Sequence, residues 1–293
     1  MRFLKRRPDT FDYALERTCV TCGTIFHGRY CNRCGEKVVE PHERTLIAFL
    51  DGVLNAFTFL EGKFFRSIKL LISKPGQLSR NIANGNQVPY MRMLNLFFVA
   101  NFFYFFFTIF DAFNSSLYTQ MNFLGSHSET VREMVKARIQ AEHIDIEAFR
   151  KSYGEATVNL SKLLIISLTL GLTGIFWVFN FSRKRNFADY MLASLEFYTF
   201  YLLFLLVILA NAVLFLIRGM KPLGYDWNIL LTDDVFSSIT KVLMIWFLFN
   251  IERNFFGNKW YWAIPKAIAI YWLIGQTVHL YRMGLFYITF YTM

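Results

Sequence analysis

YMLASLEFYTFYLLFLLVILANAVLFLI, residues 190–217, contains one charged side chain, Glu196, and neither glycine nor proline. A helix needs roughly 20 apolar residues to cross the hydrocarbon of a bilayer, and this stretch supplies them without a break. Four further segments have comparable length and polarity, and the spacing predicts spans over 93–111, 160–181, 235–254 and 267–289. The last carries Arg282 and is expected to tilt or to stop early. Composition agrees: 55% of the 293 residues are hydrophobic, 19% are aromatic, and mean hydropathy is +0.32. Those values suit a polytopic membrane protein better than a soluble domain.

Charge orients the spans. Residues 1–93 hold fifteen Lys/Arg against eight Asp/Glu, so most of the formal +10 precedes the first span. Alternate loops carry Arg183-Lys184-Arg185, then Arg253, Lys259 and Lys266. The opposite loops are acidic or balanced: 112–158 has five Lys/Arg and six Asp/Glu, and 218–234 contains Asp226, Asp233 and Asp234. The positive-inside rule therefore places the N-terminus in the cytoplasm and the C-terminus outside. The opening Met1-Arg-Phe-Leu-Lys-Arg-Arg7 lacks the apolar run of a secretory signal. Beside a membrane, basic excess is explained by topology and anionic headgroups before nucleic acid. Within 112–158, Ser128-Glu-Thr-Val-Arg-Glu-Met opens a helix, and a second is expected around Ile144 to Phe149.

All four cysteines lie in two CxxCG turns, Cys19-Val-Thr-Cys22-Gly23 and Cys31-Asn-Arg-Cys34-Gly35. Cys-x2-Cys presents two sulfurs to one tetrahedral metal from a single tight turn. A following glycine lets the backbone fold back with positive φ. The reading is one structural zinc ion; two disulfides or a dithiol redox pair compete with it. A cytoplasmic location keeps thiols reduced and favours metal. His27 and His42 are alternative ligands, outnumbered by four thiolates. A module this small depends on its metal for folding. Its inter-knuckle loop holds only Arg29 as a basic residue, which favours protein docking over nucleic-acid binding.

Between the cysteines and the first span, Leu46, Leu50, Val53, Phe57, Leu60, Phe64, Ile68 and Leu71 recur at helical spacing. Asp51, Asn55, Glu61, Lys63, Arg66 and Lys69 interrupt this helix. It either lies in the cytoplasmic interface or packs on the bundle, and Pro75-Gly76 ends it. The domain boundaries are then a zinc-ribbon module at 1–40, the amphipathic helix and its connector at 41–92, and a transmembrane domain at 93–293.

These first ninety residues resemble the bacterial membrane family known as domain of unknown function 3667. The resemblance rests on the two CxxCG knuckles with Gly28-Arg-Tyr30 before the third cysteine, on Arg44 opening the amphipathic helix, and on Pro75-Gly76 closing it. Gly85-Asn86-Gln87-Val-Pro-Tyr90 keeps the glycine and tyrosine of a family element whose two basic residues are replaced here, and Glu36 stands where glutamine is usual. The resemblance implies a bacterial inner-membrane protein with a zinc ribbon and a helical membrane domain. It implies no activity.

Ionisable groups inside spans are costly and are functional candidates. Glu196 lies ~9 Å into its span, with Asn101 and Asn250 at a similar level. Lys241 and His279 fall ~20 Å above the cytoplasmic boundary, with Gln276 between the two layers. Such layers suit a transporter or channel for a small solute or ion. The competing reading, and the one favoured, is interhelical hydrogen bonding that simply holds the bundle. HExxH, GxSxG, Walker and GxGxxG motifs are missing from the sequence, which argues against the commonest enzymes. The leading expectation is an adaptor, sensor or assembly factor that docks a cytoplasmic partner. Oligomeric state is left open.

Overall fold

The computed structural model describes residues 11–36, 38, 62–107, 113–122, 124–220 and 233–293. They fall into two compact units, residues 1–61 and 62–293. The first half of the expected amphipathic helix, 46–61, lies outside the described residues, as do His42 and 221–232.

In the first unit, β1 (Glu16–Thr18) and β2 (Ile25–His27) pair antiparallel, with Arg17 opposite Phe26. Cys19, Phe26 and Cys31 form its small buried core. Phe11 is buried and lies beneath the guanidinium groups of Arg17 and Arg29, 4.4 and 4.9 Å from its ring centre. With so few apolar residues inside, cation–π contacts matter.

The second unit is helical. Helix α1 spans 62–73, and α2 is Gln77–Ala83. Then come α3 (Met93–Phe107), α4 (Leu117–Asn122), α5 (Ser126–Glu142) and α6 (Ile146–Phe179). Helix α7 (Phe187–Thr199) widens into a π-helical stretch, Phe200–Leu209, and continues as α8 (Ala210–Met220). Helices α9 (Asp233–Asn254) and α10 (Trp260–Thr292) complete the described chain.

Two helices among the described residues, Phe187–Gly219 and Val235–Asn254, are long and apolar enough to cross a membrane. A third is added if the bent pair Ile146–Ser161 and Leu164–Phe179 counts as one broken span. The expected span at 160–181 is thus the second limb of a longer helix bent by 52°. The helix expected near Ile144 is the start of that same element, capped by Asp145, whose side chain accepts the Glu147 N–H. Helix α3 is apolar but only fifteen residues long as described. Helix α10 passes through Arg282 unbroken for 33 residues, with Lys266, Gln276, His279 and Arg282 along it.

Helix α10 packs on α6 and α9, α6 on α7, and α3 on α7 and the π-helical stretch. Leu78, Leu96, Phe97, Leu172, Phe197 and Phe247 belong to one core that runs through these contacts. Phe200 and Phe247 stack with ring centres 4.1 Å apart. Where α6 meets α10, a Cβ built on Gly171 would come 2.7 Å from Thr277 Cγ2. A side chain at 171 would force the Thr277 side chain to shift. Helix α1 joins the same core through Phe64 and Ile68, and its Leu71 is buried. The packed alternative therefore holds for the described part of the amphipathic helix.

A second cluster gathers Leu117, Val131, Val135, Phe149, Tyr153, Phe286 and Phe290 from α4, α5, α6 and α10. Arg138 on α5 closes it. Its guanidinium donates to the backbone oxygens of Phe290 and Met293, the latter at 2.9 Å, while Nε bonds Glu142. A cation on the last carbonyls of α10 answers the negative end of the helix dipole.

Candidate metal centre and intramembrane polar groups

The sulfurs of Cys19, Cys22, Cys31 and Cys34 all lie within 4.8 Å of one another. The two knuckles repeat one hydrogen-bond pattern. Cys19 N donates to Thr24 O at 2.9 Å and Gly23 N to Cys19 O at 2.9 Å. Cys31 N donates to Glu36 O at 2.8 Å and Gly35 N to Cys31 O at 2.9 Å. Gly23 and Gly35 adopt φ of 69° and 78°, the left-handed turn that glycine was expected to supply.

Across the knuckles, Cys19 Sγ and Cys34 Sγ are 3.4 Å apart, and Cys22 Sγ and Cys31 Sγ 3.6 Å. A disulfide requires ~2.05 Å, and the four thiols are free. Four sulfurs around one ion at ~2.3 Å would stand ~3.8 Å from each other. The cluster is compatible with a metal site.

Hydrogen bonds set the thiols for that role. The Thr24 hydroxyl, 3.3 Å from Cys22 Sγ, and the Thr24 amide hold the Cys22 thiol down at about 6. The amides of Cys34 and Arg33 lower Cys31 against its burial. For Cys34, the Glu36 amide pulls down, but Cys19, burial and the other two sulfurs push it up to about 12. Four thiolates at one point repel, so protons remain until a cation replaces them. His27 is turned elsewhere, its Nδ1 3.2 Å from Ala14 O.

Residues 61–105 match the family model described as Protein of unknown function (DUF3667). The resemblance drawn from the sequence is thereby supported over that segment, which holds Pro75-Gly76 and Gly85 to Tyr90; the cysteines lie outside it. No curated protein and no solved structure matches the chain.

The DUF3667 segment receives Glu196. Its Oε1 accepts the Gly76 N–H at 2.7 Å and its Oε2 the Ser79 N–H at 2.9 Å, and the residue is fully buried. Gly76 has φ of 82°, and a Cβ there would meet Ile251 Cα at 2.9 Å. Asn254 Nδ2 donates to Pro75 O at 2.8 Å. The Pro-Gly turn is thus wedged between α7 and α9, its freed amides satisfied by a carboxyl group from another helix. Asn81 Nδ2 likewise donates to the Tyr90 hydroxyl at 3.1 Å.

Among the described residues no hydrogen bond joins the six polar candidates, Glu196, Lys241, His279, Asn101, Asn250 and Gln276, to each other. Asn101 is buried on α3, and its Oδ1 has no partner among the described residues. Asn250 Nδ2 donates to Trp246 O, one turn back in its own helix. Lys241 and Gln276 are exposed, and His279 is half-buried near His127.

A second polar group escaped the sequence reading. Asn180, at the end of α6, donates through Nδ2 to Glu252 Oε1 at 2.8 Å. Its Oδ1 accepts from Lys266 Nζ and from Asn258 Nδ2, each at 2.8 Å. Asn258 Nδ2 also reaches Glu252 Oε2 at 2.6 Å. Glu252 is fully buried. The signal lay in spacing: Leu248 and Ile251 mark the apolar stripe of α9, continued by Phe255 just past its end, and Glu252 stands on it. The group ties the ends of α6, α9 and α10 together.

Proposed function

We propose that this chain is a multi-pass membrane protein whose N-terminal module holds one structural zinc ion and docks a cytoplasmic protein, as an adaptor, sensor or assembly factor. The convergence of four thiols in two matching knuckles carries the reading. Zinc would supply the folding free energy that so small a core lacks. Leu15, Val20, Ile25 and Tyr30 are exposed on the module, Val20 completely, and such apolar surface supports a docking role. Five spans, with the N-terminus inside and the C-terminus outside, remain the topology that charge favours. The bacterial inner membrane is the location that the family resemblance implies. The setting of Glu196, both oxygens engaged by backbone amides, supports a fastening role over a transport path.

The test is a Cys19→Ser/Cys31→Ser double variant, isolated with crosslinked partners from gently solubilised membranes. The intact chain should carry one zinc per molecule and retain a partner that the variant loses, with the variant still in the membrane. An unchanged partner set in a zinc-free variant would sink the docking role.

A further inference from the structure

The geometry points to a binding site for one anionic phospholipid, with its phosphate held between Arg80 and Arg185 and an acyl chain lying along the groove between α2 and α7. Arg80 (α2) and Arg185 (before α7) line a cavity of about 280 Å³, together with Asn84, Asn254 and Gly257. Arg80 Nη1 donates to Asn254 O at 3.3 Å, and Arg185 Nη2 donates to Phe255 O at 2.6 Å. These are consecutive carbonyls at the end of α9, so the two guanidinium groups are drawn to neighbouring points of one backbone. The Arg185 guanidinium carbon also lies over Phe255 and Phe256, 4.5 and 5.3 Å from their ring centres.

Each guanidinium has five N–H donors and uses one of them on a carbonyl. No carboxylate lines the cavity, and among the described residues neither arginine forms an ion pair. The α9 carbonyls offset part of this charge through the helix dipole. The remaining donors suit an oxyanion that two arginines can bind from both sides.

An apolar groove of about 440 Å³ lies beside it. Ala83 lines both cavities, and Ile82, Met91, Met93, Leu192 and Leu195 continue the wall. Arg92 and Asp189 stand on the groove as well. Asp189 Oδ2 is engaged by the Asn186 N–H at 3.0 Å, capping α7. A cationic cavity beside an apolar one, with Ala83 on the wall of both, suits an amphiphile better than free phosphate. Both cavities border the basic loops, the side that charge assigns to the cytoplasm. The inference rests on the membrane reading.

The test places the full-length chain in phosphatidylcholine nanodiscs containing phosphatidylglycerol, followed by native mass spectrometry. One phosphatidylglycerol should remain bound to the intact protein in preference to phosphatidylcholine. Arg80→Gln/Arg185→Gln should reduce that retention about tenfold, as loss of a charge-assisted bond implies. Leu192→Trp, which fills the groove and leaves both arginines, should reduce it as well. Arg80 is exposed, and its carbonyl bond is long, so Arg80→Gln alone reads the site if the double variant does not fold. Equal retention of the two lipids, unchanged retention in the arginine variants, or full displacement by millimolar inorganic phosphate would each overturn the proposal. A chain that does not enter the discs at all would overturn the membrane reading instead.

Discussion

Gly76 answers two demands at once, a left-handed φ and a backbone approach that no Cβ could survive. Gly76→Ala should therefore cost about 2–4 kcal/mol, combining left-handed strain with overpacking, read as a lower unfolding temperature in detergent. The sequence marked Pro75-Gly76 as the end of a helix and Glu196 as an anomaly inside a span. It held no sign that one completes the other, because 120 residues separate them and their bond is to backbone amides. His127 provides a second measurement. It is buried against the rings of Phe286 and Tyr287. Burial first, and then the nearby His279, lower its pKa below 6.5. Between that lowered value and about 6.5 the unfolded chain binds the proton and the folded chain does not. Stability from this site is thus complete above about pH 6.5 and declines as pH falls through the folded pKa. Thermal unfolding from pH 7.5 to 5.5 should show the decline, and His127→Phe should flatten it; parallel curves would contradict the assignment.

Helices obey a different logic from side chains. Close approach through small residues helps decide which helices pair. Gly171 against Thr277 is such a contact between α6 and α10. Gly171→Leu should separate the pair, seen as faster proteolysis of 113–159 or a lower unfolding temperature, whereas Gly174→Leu, with open space around it, should do neither. The helices themselves were legible from apolar run length, which is why 190–217 and 235–254 correspond closely to described elements. The bend in α6 was not. Its limbs, Ile146–Ser161 and Leu164–Phe179, pass from polar to apolar sequence with no proline between them, so periodicity alone suggested two elements.

At the scale of the whole molecule, the four-cysteine cluster was legible because thiol spacing is local chemistry, complete within sixteen residues. The polar groups of the helical unit are not local. Asn180, Glu252, Asn258 and Lys266 each look ordinary in their own segment, and only three helix ends meeting give them meaning. The same holds for Arg80 and Arg185, which charge counting read as topology signals and which the fold brings to consecutive carbonyls.

The reach of Glu196 back to Gly76 also has a temporal side. The Pro75-Gly76 turn leaves the ribosome 120 residues before the carboxyl group that fastens it. At roughly 5–20 residues per second, α2 waits several seconds with its first amides unengaged. Synthesis order thus makes α7 the element whose arrival locks the earlier turn in place. A nascent chain halted before Glu196 should leave that turn open to protease, and one halted well beyond it should not.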